Sequence, residues 1–140
     1  MKICVVDGQG GGIGSAIVKR LRETLGDKVE IIALGTNAIA TAAMLKAGAN
    51  KGATGENAVV RTVARVEVVV GSIGVIMAHS MMGELTPCMA EAVALSPALK
   101  ILIPMTQERV HVVGVSPQPL PHMIEEIIAL LRKEVDGRDV

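Results

Sequence analysis

The chain has 140 residues, half of them hydrophobic, with 14 basic side chains balanced by 14 acidic ones and no Phe, Trp or Tyr. A neutral balance offers no basic excess to draw nucleic acid or an anionic membrane, and without aromatic rings there is no platform on which single-stranded nucleic acid could stack. The apolar runs are too short and too interrupted to span a bilayer, so no nucleic-acid and no membrane partner is expected.

The length favours one domain, taken as residues 1–135 with a frayed tail at 136–140. The opening MKICVVDGQG lacks the succession of a secretory signal, and a cytoplasmic location is expected. Cys4 and Cys88 lie in differently patterned segments with no C-x-x-C, which argues against a disulfide or a zinc site. No pair of His, Cys, Asp or Glu has metal-ligand spacing, and no metal is expected.

In chain order, residues 2–6 form a short apolar run closed by Asp7-Gly8, which predicts a buried strand. From Ile13 the apolar positions Ile17, Val18, Leu21 and Leu25 make one helical stripe, stopped by Gly26. VEIIAL, 29–34, is the second strand. Gly35, Thr36 and Asn37 then supply a turn and an N-cap for a small-residue helix that Gly48 closes. A very short third strand is expected near 51–53 and a helix from Gly55 to Ala64. VEVVVG, 66–71, is a strand. SIGVIMAHSMMGEL reads equally as loop, strand or helix start. Thr86 caps a helix with Pro87 in its first turn. KILIPM and VHVVGV read as two further strands, and the last helix carries Ile124, Ile127, Ile128 and Leu131 on one face.

Strands that are apolar throughout and alternate with helices predict a parallel sheet covered on both faces. The expected fold is a three-layer, doubly wound, Rossmann-like α/β domain with strand order 3-2-1-4-5. The four residues TQER between the last two runs are too few for a crossover helix. A sixth strand could therefore return as an antiparallel edge.

DGQGGGIG, 7–14, joins the first strand to the first helix. The spacing G-x-G-x-x-G fails from either Gly8 or Gly10, whereas Gly8, Gly12 and Gly14 give G-x-x-x-G-x-G. Such a loop lets backbone approach a phosphate at a helix N-terminus. The candidate cofactor-binding set is Gly8, Gly10, Gly11, Gly12, Ile13 and Gly14, with Thr36 and Asn37 at the end of the second strand. Two features complicate the reading. The acidic residue expected at the end of that strand is absent. Asp7 either sets a negative charge beside the phosphate or caps the loop by accepting its N–H groups.

The G-x-x-x-G-x-G spacing resembles that of the short-chain dehydrogenases and reductases, and the resemblance implies an NAD(P) cofactor. Their proton-transferring Tyr-x-x-x-Lys pair has no counterpart in a chain without tyrosine. DGQGGGIG, ALGTNAIATAAMLKAGANKGATGEN, VGSIGVIMAHSMMGELTPCMAEA and KILIP together resemble an uncharacterised family of small bacterial proteins known as a domain of unknown function. That resemblance implies a Rossmann-like fold and no established activity.

Three functions stay open: a domain binding NAD(P) or another nucleotide through its phosphate, a self-associating structural or regulatory protein, and an enzyme for a small anionic substrate. A homo-oligomer is expected, since a chain of this size often completes its cleft with a second copy. Should the chain be an enzyme, Asp7, Glu56, His79 and Glu84 are the candidate acids and bases. Thr54 and Asn57, and Ser72 and Ser80, are read as polar groups near the same cleft.

Overall fold

A computed structural model of the chain describes residues 1–138. Five parallel strands form one sheet: β1 (Lys2–Asp7), β2 (Glu30–Gly35), β3 (Lys51–Thr54), β4 (Val68–Ser72) and β5 (Leu99–Ile103), in the order β3-β2-β1-β4-β5. Five helices connect and cover them: α1 (Gly12–Leu25), α2 (Ala38–Ala47), α3 (Glu56–Val63), α4 (Pro87–Leu95) and α5 (Leu120–Arg138).

Side-chain alternation along the strands sorts the core into two layers. Ile3 and Val5 of β1, Ile31 of β2 and Val70 of β4 face Ile17 and Leu21 of α1, Met44 of α2 and Ile127 and Leu131 of α5. Cys4, Val6, Leu34 and Val69 face the opposite way, onto Val59 and Val63 of α3 and Met89 and Val93 of α4. Both faces of every central strand are dry, so nearly every position there is apolar. This is the three-layer, doubly wound α/β fold expected from the pattern.

Local chemistry sets the helix starts. Asn37 accepts the Ala40 amide at 2.9 Å and opens α2, and Thr86 accepts the Met89 amide at 3.2 Å ahead of Pro87 in α4. Gly26 ends α1 with φ of 55°, a backbone that costs glycine little.

One expectation is corrected. VHVVGV, 110–115, is not a sixth strand, and no antiparallel edge strand forms among the described residues. Pro104 follows directly on β5, and Gly114 turns the segment at φ 88°. The segment's backbone then closes short-range bonds, Val110 N–H to Glu108 O and Val115 N–H to Val112 O, instead of a ladder. Helix α5 runs to Arg138, with Leu131 and Val135 buried along it. Residues 139 and 140 lie outside the described residues.

Candidate functional site

The loop after β1 turns at once: Gly11 donates to Gly8 O at 2.9 Å, and Gln9 and Gly11 take φ of 51° and 75°. Within this turn the Asp7 carboxylate faces inward. Oδ1 accepts the Gly8 amide at 2.8 Å and Oδ2 accepts the Gly14 amide at 2.6 Å. Asp7 therefore caps the loop and the start of α1. Its carboxyl is pushed above its ordinary value by burial. The Gly14 and Gly8 amides oppose that rise, and the neighbouring Glu84 charge adds to it.

The glycines divide by what surrounds them. A Cβ on Gly14 would stand 2.7 Å from Met44 Sδ and 2.8 Å from Asp7 Cβ, and one on Gly8 would run into the Thr36 hydroxyl and Met81 Sδ. One on Gly11 would meet Ala40 Cα at 2.9 Å. These three are required by packing or by φ. At Gly10 and Gly12 a Cβ would meet nothing within 4 Å, and neither residue has positive φ. Among the described residues the amides of Gly10, Gly12 and Ile13 have no protein acceptor. Those of Gly12 and Ile13 are orphan donors of a helix start.

A second carboxylate clasps the loop from outside. Glu84 Oε1 accepts the Gln9 amide at 2.9 Å, the Thr36 hydroxyl at 2.7 Å and Asn37 Nδ2 at 2.7 Å. Asn37 Nδ2 also donates to Gln9 O at 2.9 Å. Thr36 and Asn37, nominated from the sequence, thus reach the glycine loop through Glu84, and Asn37 reaches it directly as well. The Gln9 amide foremost, then the Thr36 hydroxyl and the Asn37 amide, hold the Glu84 carboxyl below its ordinary value. A carboxylate from the loop before α4 thus stands beside the end of β2, where the strand itself carries none.

Strand order reverses between β1 and β4, where ligands bind in doubly wound sheets. A crevice of about 190 Å³ opens there, lined by Asp7, Gln9, Ile13, Ser72, Ser80 and Met81 on one side and by 105–108 on the other. Among its described lining residues are the carboxylates of Asp7 and Glu108 and no Lys or Arg. Its positive element is the α1 N-terminus. Two larger cavities, about 270 and 340 Å³, lie against the 104–118 loop and hold none of the nominated residues.

Glu56, Asn57, Thr54 and His79 make no hydrogen bond to the glycine loop among the described residues. Glu56 and Asn57 are exposed in the first turn of α3, and Thr54 Oγ1 pairs with Thr41 Oγ1 at 2.7 Å. His79 is exposed, with φ of 70°. Thr106, Gln107 and Glu108 went unnominated because TQER reads as a hairpin connection. Their place after β5 at the carboxyl edge of a parallel sheet is the signal that could have found them. Among the described residues no group of three or more His, Cys, Asp or Glu stands close enough to hold a metal ion, and no helix is long and apolar enough to cross a membrane.

Fold and loop together define a Rossmann-like α/β domain with its candidate site at the β1–β4 switch point. The chain belongs to the DUF3842 family, a domain of unknown function, whose pattern matches residues 2–136. No curated protein matches it. Among solved structures, a dodecameric FMN-dependent UbiX-like decarboxylase from Escherichia coli O157:H7 is similar at 16% identity over 94% of this chain and 75% of that one, with a TM-score of 0.45.

Proposed function

We propose that this chain is a binding domain for a small molecule bearing one phosphate or a comparable anionic acceptor. The anion is held by the free amides of Gly10, Gly12 and Ile13, and the body of the ligand lies in the crevice beside Ser72, Ser80 and Thr106. The observation that carries this reading is the open space at Gly10 and Gly12. Gly26, Gly55, Gly83 and Gly114 also have room for a Cβ, but their positive φ accounts for glycine. Gly137, in the last turn of α5, is open without it. At 10 and 12 nothing inside the protein requires glycine, whereas close backbone approach by a phosphate does.

A nucleotide is the ligand class that a strand, glycine turn and helix suit, with NAD(P) its dinucleotide form. The Asp7 and Glu108 carboxylates favour one anionic group over several. The reading is one of binding: Asp7 engages both oxygens with the loop, and Ser80 Oγ donates to Gly74 O at 2.6 Å. Calorimetry with NAD, NADP, ATP and coenzyme A tests it. At least one should bind the wild type and lose binding in Gly12→Val while the ligand-free melting temperatures agree. No binding by any of them contradicts the nucleotide class.

Self-association is a second reading, favoured by Val110, Val113 and Val115, all exposed in one loop. Light scattering decides it, a monomer at all concentrations ruling it out.

A further inference from the structure

The segment 77–85 reaches over the glycine loop in a backbone that L-residues rarely adopt. His79, Met81 and Met82 have φ of 70°, 58° and 57°, ahead of Gly83 at 89°. Such a backbone persists only where its surroundings over-determine it. Leu85 and Ser80 are buried beneath it, His79 N–H and Leu85 O close it at 2.7 Å, and Glu84 ties its end to two other loops. Met82, at its crest, is 89% exposed.

Glu84 bonds a telling set of groups. In β-α-β nucleotide units a ribose lies between the glycine turn and the end of the second strand, where an acid bonds its hydroxyls. Here the Gln9 amide and the Thr36 and Asn37 side chains define that place, and all three donate to the single oxygen Oε1 of Glu84. The donors face a carboxylate of the protein itself.

We propose that Glu84 is a latch that fills the ribose seat of this site and holds 77–85 shut across it. A 5′-mononucleotide then enters only when Glu84 leaves Gln9, Thr36 and Asn37. Inorganic phosphate reaches Gly10, Gly12 and Ile13 with the latch closed. The latch rests on the glycine-loop reading above and adds the ligand class that the resting state excludes.

The test compares wild type, Glu84→Ala, which removes the acceptor, and Glu84→Gln, which keeps a neutral one. AMP affinity is measured by calorimetry, amide exchange by NMR, and phosphate binding by amide shifts. In Glu84→Ala, AMP should bind about tenfold or more tightly, as expected when a minor open state becomes the major one. The Gln9 amide and the 77–85 amides should exchange faster. Glu84→Gln should stay near the wild type. Thr36→Val, which removes one donor, should shift both readouts partway.

Unchanged AMP affinity and unchanged exchange in Glu84→Ala overturn the latch, and so does equality of the Ala and Gln variants, which would reduce Glu84 to its charge. Phosphate separates the two readings. If it shifts the Gly10, Gly12 and Ile13 amides while Glu84→Ala changes nothing, the anion site stands and the latch falls. If phosphate shifts none of them, the anion site falls, and AMP affinity together with exchange at Gln9 decides the latch: both rising in Ala but not in Gln support it, either one unchanged overturns it.

Discussion

The Asp7 carboxylate accepts the Gly14 amide at 2.6 Å, so the last residue of β1 binds the first turn of α1 across the glycine loop. The bond uses a donor that helix starts commonly offer to anions. It leaves Gly10, Gly12 and Ile13 as the loop's free donors, and it places an acid in a position where burial resists its charge.

The sign of that resistance can be checked. The folded carboxyl of Asp7 lies above its ordinary 3.8 because burial outweighs the two amides. Below the unfolded value both states are protonated. As pH rises towards the raised folded value the unfolded chain loses its proton first, so Asp7 costs stability progressively. Asp7→Asn does not titrate. Urea denaturation at several pH values from about 4 to 7 should show the wild type losing ground to Asp7→Asn as pH rises. A difference independent of pH would place Asp7 at its unfolded value.

Substitutions along the loop should separate packing from function. Gly14→Ala sets a methyl 2.7 Å from Met44 Sδ and 2.8 Å from Asp7 Cβ. Overpacking of this kind should cost about 1–3 kcal/mol, despite the better helix propensity of alanine. Gly12→Ala meets nothing and should leave stability within about 0.5 kcal/mol of the wild type. Thermal or urea denaturation measures both. Equal losses at the two positions would remove the argument that Gly12 is kept for a ligand.

Asn37 has two roles that one substitution can divide. Its Oδ1 caps α2, and its Nδ2 donates to Glu84 and to Gln9 O. Asn37→Asp keeps a good cap but sets a second carboxylate against Glu84. Asn37→Ser keeps a cap without that charge. The Asp variant should be the less stable by about 1 kcal/mol or more at neutral pH, the scale of two like charges a few ångströms apart in a partly exposed site. The gap should narrow in acid as the carboxylates protonate. An Asp variant as stable as Ser would show that Glu84 does not feel the added carboxylate.

The α/β class, the strand order and the β1–loop–α1 unit were legible because they follow from local periodicity and punctuation. Residues 3–6 and 31–34 are apolar on both faces, and Gly26 and Gly48 stop their helices. VHVVGV misled because β-branched residues with a strand-like pattern carry no record of whether a partner edge is available. Pro104 and Gly114 settled the matter locally. Glu84 was nominated as an acid or base near the cleft, but its hydrogen bonds to the loop and to the end of β2 were not legible. Glu84 lies 75 residues from Gln9 and 48 from Thr36, a separation that short-range pattern does not reach. Left-handed backbone at Met81 and Met82 has no compositional signature, unlike that of the neighbouring Gly83.

The central claim is that the three open amides of the glycine loop form an anion seat, and an ¹⁵N-resolved titration of the wild type with inorganic phosphate tests it most directly. The account predicts saturable shifts at Gly10, Gly12 and Ile13, with Gly8 and Gly14 holding their bonds to Asp7. Saturable binding that leaves those three resonances in place, or no response anywhere on the loop, would contradict it.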